Sequence, residues 1–198
     1  MAIGSPAKAA RLDQLGSYAR VQVWSGYQLP EDVRREVYDA VLDEVKDADE
    51  AAYLTDRYLA EAHVALDQAA AGWPSPSAFD RLQAAFTELR SADVVVLEAC
   101  EDHWVAHETL ERAAAHGRRP RGIVYFAPVD VWHAVEHGML ELNVWHGTSA
   151  NVAPGDDLLE LVQQTLSRHD IESLFDEGRV EVSVAWQRRP RDRTAARS

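Results

Sequence analysis

The chain has 198 residues, a hydrophobic content of 46% and a formal net charge of −13 at pH 7, so it is long and apolar enough to bury a core. Its one cysteine, Cys100, excludes an intrachain disulfide, and no N-terminal apolar run of signal-peptide length is present, so we expect a reduced, cytoplasmic protein. No stretch approaches the roughly 20 apolar residues that cross a bilayer, which excludes a membrane span.

Acidic residues are concentrated in one part of the chain. Residues 31–67 hold twelve Asp and Glu against four Lys and Arg, whereas residues 188–198 hold five Arg and one Asp. An acidic surface disfavours non-specific nucleic-acid binding, which depends on Lys and Arg contacting phosphates. We therefore expect no nucleic-acid partner and a basic protein partner, with simple solvation of helix faces as the alternative. The candidate binding residues in this stretch are Glu36, Asp39, Asp43 and Glu44.

The first ninety residues are predicted to be mainly helical. Residues 1–20 are expected to form a loose leader, followed by a short strand from Val21 to Trp24, where apolar and polar positions alternate. Valines that recur every four residues from Val33 to Val45 predict a helix over about 30–47. A second apolar stripe, from Leu54 to Leu66, predicts another helix.

A third helix is predicted to begin at Ser77, with an apolar seam that faces the core. After Ser91 the pattern changes to alternating strands and helices. The predicted strands are 93–99, 122–127, 139–146, 171–175 and 180–186, and the predicted helices are 107–116, two turns after Pro128, and 156–169. The alternation in the last strand predicts that one of its faces is exposed to water.

This order of elements predicts an α+β fold: an N-terminal helical segment packed on a mostly antiparallel sheet with intervening helices. We expect a single domain over residues 21–187. Its helical part covers 30–90, and its strand and helix part covers 93–187. The remaining residues, 188–198, are predicted to form a basic disordered tail because they are rich in Arg and poor in apolar side chains.

The stretch from Arg121 to Gly147 is predicted to form a strand, a short helix and a second strand. Pro128 ends the first strand because it cannot donate to a sheet ladder, and Gly138 can close the helix in the left-handed conformation. Each end of the unit has a Trp-His pair, Trp132-His133 and Trp145-His146. Trp132, Trp145 and His146 are candidate binding residues, because aromatic side chains with a polar edge often anchor binding surfaces. Packing in the core is the alternative.

Four short patterns stand in one order between about residues 77 and 189. They are Ala84-Ala85-Phe86 with Leu89, the strand Gly122 to Phe126, Ala134-Val135-Glu136 with Gly138, Met139 and Leu140, and Trp186 with Arg188 and Arg189. In this order they resemble a bacterial family of unknown function. The resemblance implies no known activity. The family has a Cys-Cys-x-x-Cys-Gly turn where this chain has Ala99 to Trp104, so two thiols are missing and a metal or redox role based on them does not carry over.

His133 to His137 match the pattern H-x-x-E-H of inverted zinc proteases. In that pattern two histidines at i and i+4 project from one helix face to a metal, and the Glu acts as general base. The helix here is short, and Val131, Ala134 and Val135 occupy the side that packs on the sheet. Both histidines can then face solvent. We therefore predict that His133 and His137 are not jointly essential ligands.

A second candidate metal site consists of Cys100, His103 and His107, in the spacing C-x2-H-x3-H. Thiolate and imidazole groups suit Zn²⁺, and the two histidines share a helix face if the helix begins near Glu101. His133, His137 or water could supply a fourth ligand. The alternative is a buried cysteine beside histidines that face solvent.

The leading interpretation is an acidic protein-interaction module without catalysis. A small metal-dependent hydrolase that uses the Cys and His residues is the first alternative, and a ligand-binding domain that uses the Trp-rich central stretch is the second. The sequence has no Gly-rich phosphate loop and no G-x-S-x-G motif. We therefore predict no cofactor.

Overall fold

The structure is a computed structural model that describes residues 6–190. The chain divides into two compact units. The first consists of the residues up to Trp73 together with the chain from Arg188 onward, and the second is Pro74–Gln187. The expectation that residues 21–187 form one cooperative domain stays a prediction. None of the helices within residues 6–190 has the length and apolar character that crossing a membrane requires.

The first unit is a bundle of three helices that pack on one another. These are α1 (Pro6–Ser25), α2 (Pro30–Val45) and α3 (Ala48–Ala71). Pro30 stands in the first turn of α2, and the Asp47 side chain caps α3 by accepting a hydrogen bond from the Glu50 backbone N–H at 2.8 Å. The buried stripe Val33, Val37 and Val41 of α2 faces Leu54, Tyr58, Ala62 and Leu66 of α3, as the four-residue spacing predicts.

Helix α1 differs from the sequence prediction. The strand predicted from Val21 to Trp24 is wrong, because these residues end a helix that begins at Pro6, inside the stretch expected to be a loose leader. Ala19 and Val23 lie one helical turn apart and are both buried in the bundle core. Burial against α2 and α3 therefore outweighs a four-residue alternation that suits a strand equally well. Residues 1–5 of the predicted leader lie outside the described residues.

The first residues of the predicted tail are packed in the helical unit. Arg188 is only 3% exposed; its guanidinium donates a hydrogen bond to the Ser25 carbonyl at 3.1 Å and lies 4.3 Å from the centre of the Tyr27 ring. Arg189 donates to the carbonyl of Trp73 at 3.1 Å. The prediction of a disordered tail is therefore wrong for Arg188 and Arg189, because Arg can bury its charge when backbone carbonyls and an aromatic face receive it. The rest of the predicted tail, 191–198, lies outside the described residues.

The second unit is α+β, as predicted. Its elements are α4 (Ala78–Ser91), β1 (Val94–Leu97), α5 (His103–Ala115), β2 (Gly122–Tyr125), α6 (Pro128–His137), β3 (Met139–His146), α7 (Asp157–Arg168), β4 (Ser173–Asp176) and β5 (Arg179–Ser183). The sheet has the order β1-β2-β3-β5-β4. The β1–β2 pair is parallel and the other three pairs are antiparallel, which confirms a mostly antiparallel sheet.

Three helices of the second unit pack on different strands of the sheet. Helix α4 packs on β1 and α7, α5 packs on β2, and α6 packs on β3. Helix α5 begins at His103, four residues earlier than predicted, because the Asp102 side chain caps the backbone N–H groups of Trp104 and Val105. The predicted strand, helix and strand between Arg121 and Gly147 are confirmed as β2, α6 and β3, and Gly138 closes α6 with a φ of 70°.

Glu88 of α4 joins that helix to the end of α7. Its carboxylate accepts hydrogen bonds from Arg168 and from Nε2 of His169, the latter at 2.9 Å. The Arg168 guanidinium, with a smaller effect from His169, holds the pKa of Glu88 below its ordinary value of 4.5. A carboxyl with a depressed pKa stabilises the folded state fully above its unfolded pKa, and this stabilisation is lost as the pH falls through the folded pKa.

We therefore expect Glu88→Gln to lower the melting temperature at pH 6 but to have progressively less effect below about pH 4.5. Thermal melts of the two proteins between pH 3 and pH 6 measure this. Glu160→Gln, an exposed carboxyl on α7, is the control and should show a small, pH-independent difference. A Glu88→Gln difference that stays constant down to pH 3 would contradict the expectation.

Candidate functional site

The acidic stretch, residues 31–67, lies on α2 and α3, and its basic side chains are paired with acidic ones. Residues 31–67 lie entirely within the described part of the chain. Each of the four basic side chains in this stretch pairs with an acidic side chain of the same stretch: Arg34 with Asp56 at 3.0 Å, Arg35 with Asp32 at 2.7 Å, Lys46 with Asp43 at 2.5 Å, and Arg57 with Glu61 at 3.6 Å. The acidic excess of the sequence is therefore an acidic excess of the surface.

The four acidic candidates differ in their surroundings. Glu36 is half-buried and accepts hydrogen bonds from the side-chain amides of Gln22 and Gln28. Glu44 is half-buried, with its carboxylate 3.4 Å from the guanidinium of Arg11. Both side chains therefore help to hold the bundle together.

Asp39 and Asp43 are exposed near the end of α2. With Leu42 and Lys46 they line a shallow recess of about 340 Å³. The hydrogen bond from Lys46 lowers the pKa of Asp43, so this carboxylate stays charged at neutral pH. The last carbonyl groups of α2 add negative potential at the same place.

Cys100 and the histidines of α5 lie in different environments. Cys100 is buried beside Ile123 and Tyr125, its Sγ lies 3.0 Å from the Asp102 carbonyl, and burial raises the pKa of the thiol. His103 is exposed and its ring lies 4.7 Å from the ring of Trp104. The thiol is therefore directed into the packed side of the unit, while His103 is on its surface.

Helix α6 brings Trp132, His133 and His137 together on its outer side. The two imidazole rings are 6.1 Å apart, and the Trp132 ring lies 5.0 Å from His133 and 5.9 Å from His137. His137 is exposed, and Nδ1 of the half-buried His133 makes no hydrogen bond with any described residue. Val131 and Ala134 are the fully buried residues of this helix.

The five candidate metal ligands are thus distributed over two helices and the connection before α5. His103 and His107 lie at the start of α5, Cys100 lies in the connection that precedes this helix, and His133 and His137 lie on α6. His107 has an acidic neighbour, Glu111, whose carboxylate is 3.6 Å from its ring nitrogen. In the part of the chain that the structure describes, no three His, Cys, Asp or Glu side chains lie close enough together to hold a metal ion.

Replacing both His133 and His137 by alanine should change the free energy of unfolding by no more than about 0.5 kcal/mol and leave the metal content unchanged. The reason is that one ring is exposed and the other has a buried nitrogen without a hydrogen-bond partner among the described residues. Chemical denaturation and elemental analysis measure the two outcomes. Val131→Ala is the control on the same helix and should cost about 2 kcal/mol. Loss of a bound metal in the double variant would reveal a site.

Trp145 and His146 lie side by side at the end of β3 but belong to different environments. Trp145 is half-buried and packs edge-on against Tyr125, with ring centres 4.9 Å apart. His146 has its Nε2 2.9 Å from a carboxylate oxygen of Asp156. The Ala153 backbone N–H and His146 lower the pKa of Asp156. Trp145 therefore contributes mainly to packing, whereas His146 joins β3 to the start of α7.

A charged cluster that the sequence did not indicate lies on the sheet beside α6. Arg179 of β5 contacts Glu141 of β3, and Asp130 accepts a hydrogen bond from the Ala127 backbone N–H at 2.7 Å. Burial, with Glu141 nearby, raises the pKa of Asp130, and burial raises the pKa of Tyr125 to about 12. Asp130 is therefore a carboxyl group that can hold a proton at a higher pH than an ordinary aspartate.

Exposed apolar side chains stand where α5 and α6 begin. Trp104 is 61% exposed and Trp132 is 43% exposed, and each has an exposed valine beside or near it. Both helices start just after the ends of the parallel strands β1 and β2, and the Cys100 backbone N–H donates to the Phe126 carbonyl at 2.8 Å between them. We call Trp104, Val105, Val129 and Trp132 the α5–α6 surface. Of these only Trp132 was a sequence candidate, because exposure of a Trp cannot be read from a local pattern.

A family model described as "Domain of unknown function (DUF6891)" matches residues 8–190 of the chain. This match extends well beyond the range of about 77–189 over which the resemblance was seen in the sequence. No curated protein matches the chain, and no solved structure matches it.

Proposed function

Since the chain belongs to the DUF6891 family, whose function is unknown, we propose a function from the surface of the molecule: a protein-interaction module without catalysis that binds a basic protein partner. The binding site would be the acidic surface, which consists of Asp39, Asp43, Asp47 and Asp49 around the turn from α2 to α3. All four side chains are exposed.

The observation that supports this proposal is the internal pairing of every basic side chain in the stretch 31–67. A surface that serves only solubility usually carries both signs of charge interspersed. Here Lys46 offsets Asp43, and none of the other three basic side chains of the stretch pairs with Asp39, Asp47 or Asp49. The fields of these three aspartates therefore add, and such a surface attracts a positively charged partner over distances of about 10 Å at 0.1 M salt.

The α2 half of the acidic surface adds to the same effect. Asp39 and Asp43 stand in the last turns of α2, where unpaired carbonyl groups give the helix end a partial negative charge, whereas Asp47 and Asp49 stand at the start of α3, where the partial charge is positive. Lys46 already binds one carboxylate at this end, with its ammonium group on Asp43. A Lys or Arg side chain of the partner would bind in the same manner next to Asp39, in the recess that Leu42 borders.

The test uses a synthetic basic amphipathic peptide as the probe and measures its association rate between about 0.05 and 0.5 M salt. We expect the rate to fall by about tenfold or more over this range, because electrostatic attraction dominates the encounter. Asp39→Lys/Asp43→Lys/Asp49→Lys should abolish fast association. Glu108→Lys/Glu160→Lys/Glu172→Lys, a control with the same change in net charge on exposed residues of the second unit, should keep most of it.

Two outcomes would overturn the proposal. One is an association rate that does not depend on salt. The other is an equal loss in both triple variants, which would show that net charge alone attracts the peptide. A natural partner recovered from cell extract should show the same salt dependence. Its association should also be slowed more by the triple variant of the acidic surface than by the control triple variant.

The α5–α6 surface supports ligand binding as a second candidate function. Exposed tryptophans, such as those at the starts of α5 and α6, are the kind of residue that anchors an apolar ligand. The dye 8-anilinonaphthalene-1-sulfonate, which has apolar rings, is a suitable probe. We expect the folded protein to enhance its fluorescence, Trp104→Ser/Trp132→Ser to remove the enhancement, and Leu174→Ser, at a residue that is 63% exposed elsewhere, to preserve it. Unchanged dye binding in the double variant would exclude this surface.

A further inference from the structure

One face of helix α1 has small residues at its middle and opposite charges on either side. Asp13, Gly16, Ser17 and Arg20 line a single shallow groove of about 370 Å³, which α1 shares with Tyr58 and other residues of α3. Asp13 and Ser17 are exposed, and Gly16 and Arg20 are partly exposed. This face therefore remains accessible in the folded helical unit.

Gly16 is not explained by packing within the chain. It lies inside a helix of 20 residues, where glycine is a poorer choice than every residue except proline. A Cβ added at this position would lie 3.5 Å from the ring of Tyr58, which is an ordinary contact. Alanine would therefore fit. Glycine leaves the backbone of α1 uncovered in the groove between α1 and Tyr58 of α3.

The two charged side chains that α1 contributes to this groove are arranged symmetrically about the Gly16–Ser17 bond, whereas the two that α3 contributes, Arg57 and Glu61, pair with each other at 3.6 Å. Asp13 stands three residues before Gly16, and Arg20 stands three residues after Ser17. If a second copy of α1 crosses antiparallel at this bond, Asp13 of each copy lies opposite Arg20 of the other. A parallel crossing would place like charges together. The face is thus complementary to itself in one orientation, as a twofold interface requires.

We propose that the protein forms a twofold homodimer through antiparallel contact of the α1 helices at Gly16 and Ser17. The small residues let the two helices approach to about 8 Å, the short end of the usual range. Two reciprocal Asp13–Arg20 ion pairs then border the contact and fix its orientation. This inference does not rest on the acidic surface or on its partner.

The overall charge opposes this dimer and sets the conditions of the test. Two chains of formal charge −13 repel one another, whereas at about 0.15 M salt the Debye length of about 8 Å screens this repulsion more than it screens ion pairs in contact. Dissociation should therefore be measured near that salt concentration. We expect weak, reversible association, as suits a small interface centred on a single helix pair.

Sedimentation velocity between about 1 and 200 μM is the decisive experiment. Asp13→Arg alone and Arg20→Asp alone should each weaken dimerisation by about tenfold or more, because each places like charges opposite one another. An equimolar mixture of these two variants should form a heterodimer, because both pairs are then complementary again. The double variant Asp13→Arg/Arg20→Asp should restore the homodimer for the same reason.

Two further variants separate the interface from the fold. Gly16→Ala should raise the melting temperature of the protein while weakening the dimer, since the added methyl group occupies part of the groove at the crossing point. Glu108→Arg, a charge reversal on exposed α5, should leave dimerisation unchanged. A wild-type protein that is monomeric at 200 μM, or single variants that fold normally but do not associate when mixed, would overturn the proposal.

Discussion

Replacing Gly122 by alanine should lower the free energy of unfolding by about 3 kcal/mol or more. Gly122 begins β2, between β1 and β3, and it faces α7. An added Cβ would lie 2.3 Å from Cδ2 of Leu158 and 2.4 Å from the backbone oxygen of Trp145. Leu158 can change its rotamer. The Trp145 carbonyl cannot retreat without disturbing the pairing of β2 with β3, so the strands must separate locally.

Urea denaturation followed by circular dichroism measures this loss. Gly117→Ala is the matched control, because Gly117 has a φ of +75° and no heavy atom within 4 Å of an added Cβ. Its cost should be about 1 kcal/mol, from backbone strain alone. Equal costs for the two substitutions would mean that the β2–α7 contact yields more easily than the distances indicate.

Replacing Arg188 by alanine should lower the free energy of unfolding by about 2 to 3 kcal/mol. The substitution removes a buried charged donor together with its stacking on Tyr27, and it leaves the Ser25 carbonyl without that hydrogen bond. Because alanine removes the guanidinium itself, the variant has no unpaired buried charge that would change this cost. Lysine should recover little, since it lacks the planar group that both donates and stacks.

Arg189→Ala provides the comparison within the same segment. Arg189 is partly exposed and donates to the Trp73 carbonyl, so its removal should cost about 1 kcal/mol or less. Thermal and urea denaturation of the three variants decide the order. If Arg188→Ala were no more harmful than Arg189→Ala, the Tyr27 and Ser25 contacts would contribute little to stability.

Local patterns predicted the second unit better than the first. The segment β2–α6–β3 followed from two apolar runs, Pro128 and Gly138, because each of these features acts on its own neighbours. Helix α1 was missed because its buried positions, such as Ala19 and Val23, gain their stability from α2 and α3 rather than from local preference. The early start of α5 depends on Asp102, whose capping role is visible only once the chain direction there is known.

Candidate residues show the same division between local and long-range information. The His133 and His137 pair was visible because a helix brings i and i+4 together. The cluster of Tyr125, Glu141 and Arg179 was not, since it depends on the register that places Tyr125 beside Asn143 and Asn143 beside Arg179. No spacing within one segment encodes that register.

Because Cys100 is buried, the reactivity of its thiol can report local opening of the protein. It is the one thiol in the sequence, it is buried beneath the start of α5, and burial raises its pKa. Alkylating reagents attack the thiolate and need access to the sulfur. The rate of alkylation therefore measures how often the β1–α5 connection moves away from β2. This measurement needs no added label and no substitution. A ligand or partner that holds α5 and α6 in place would slow that rate.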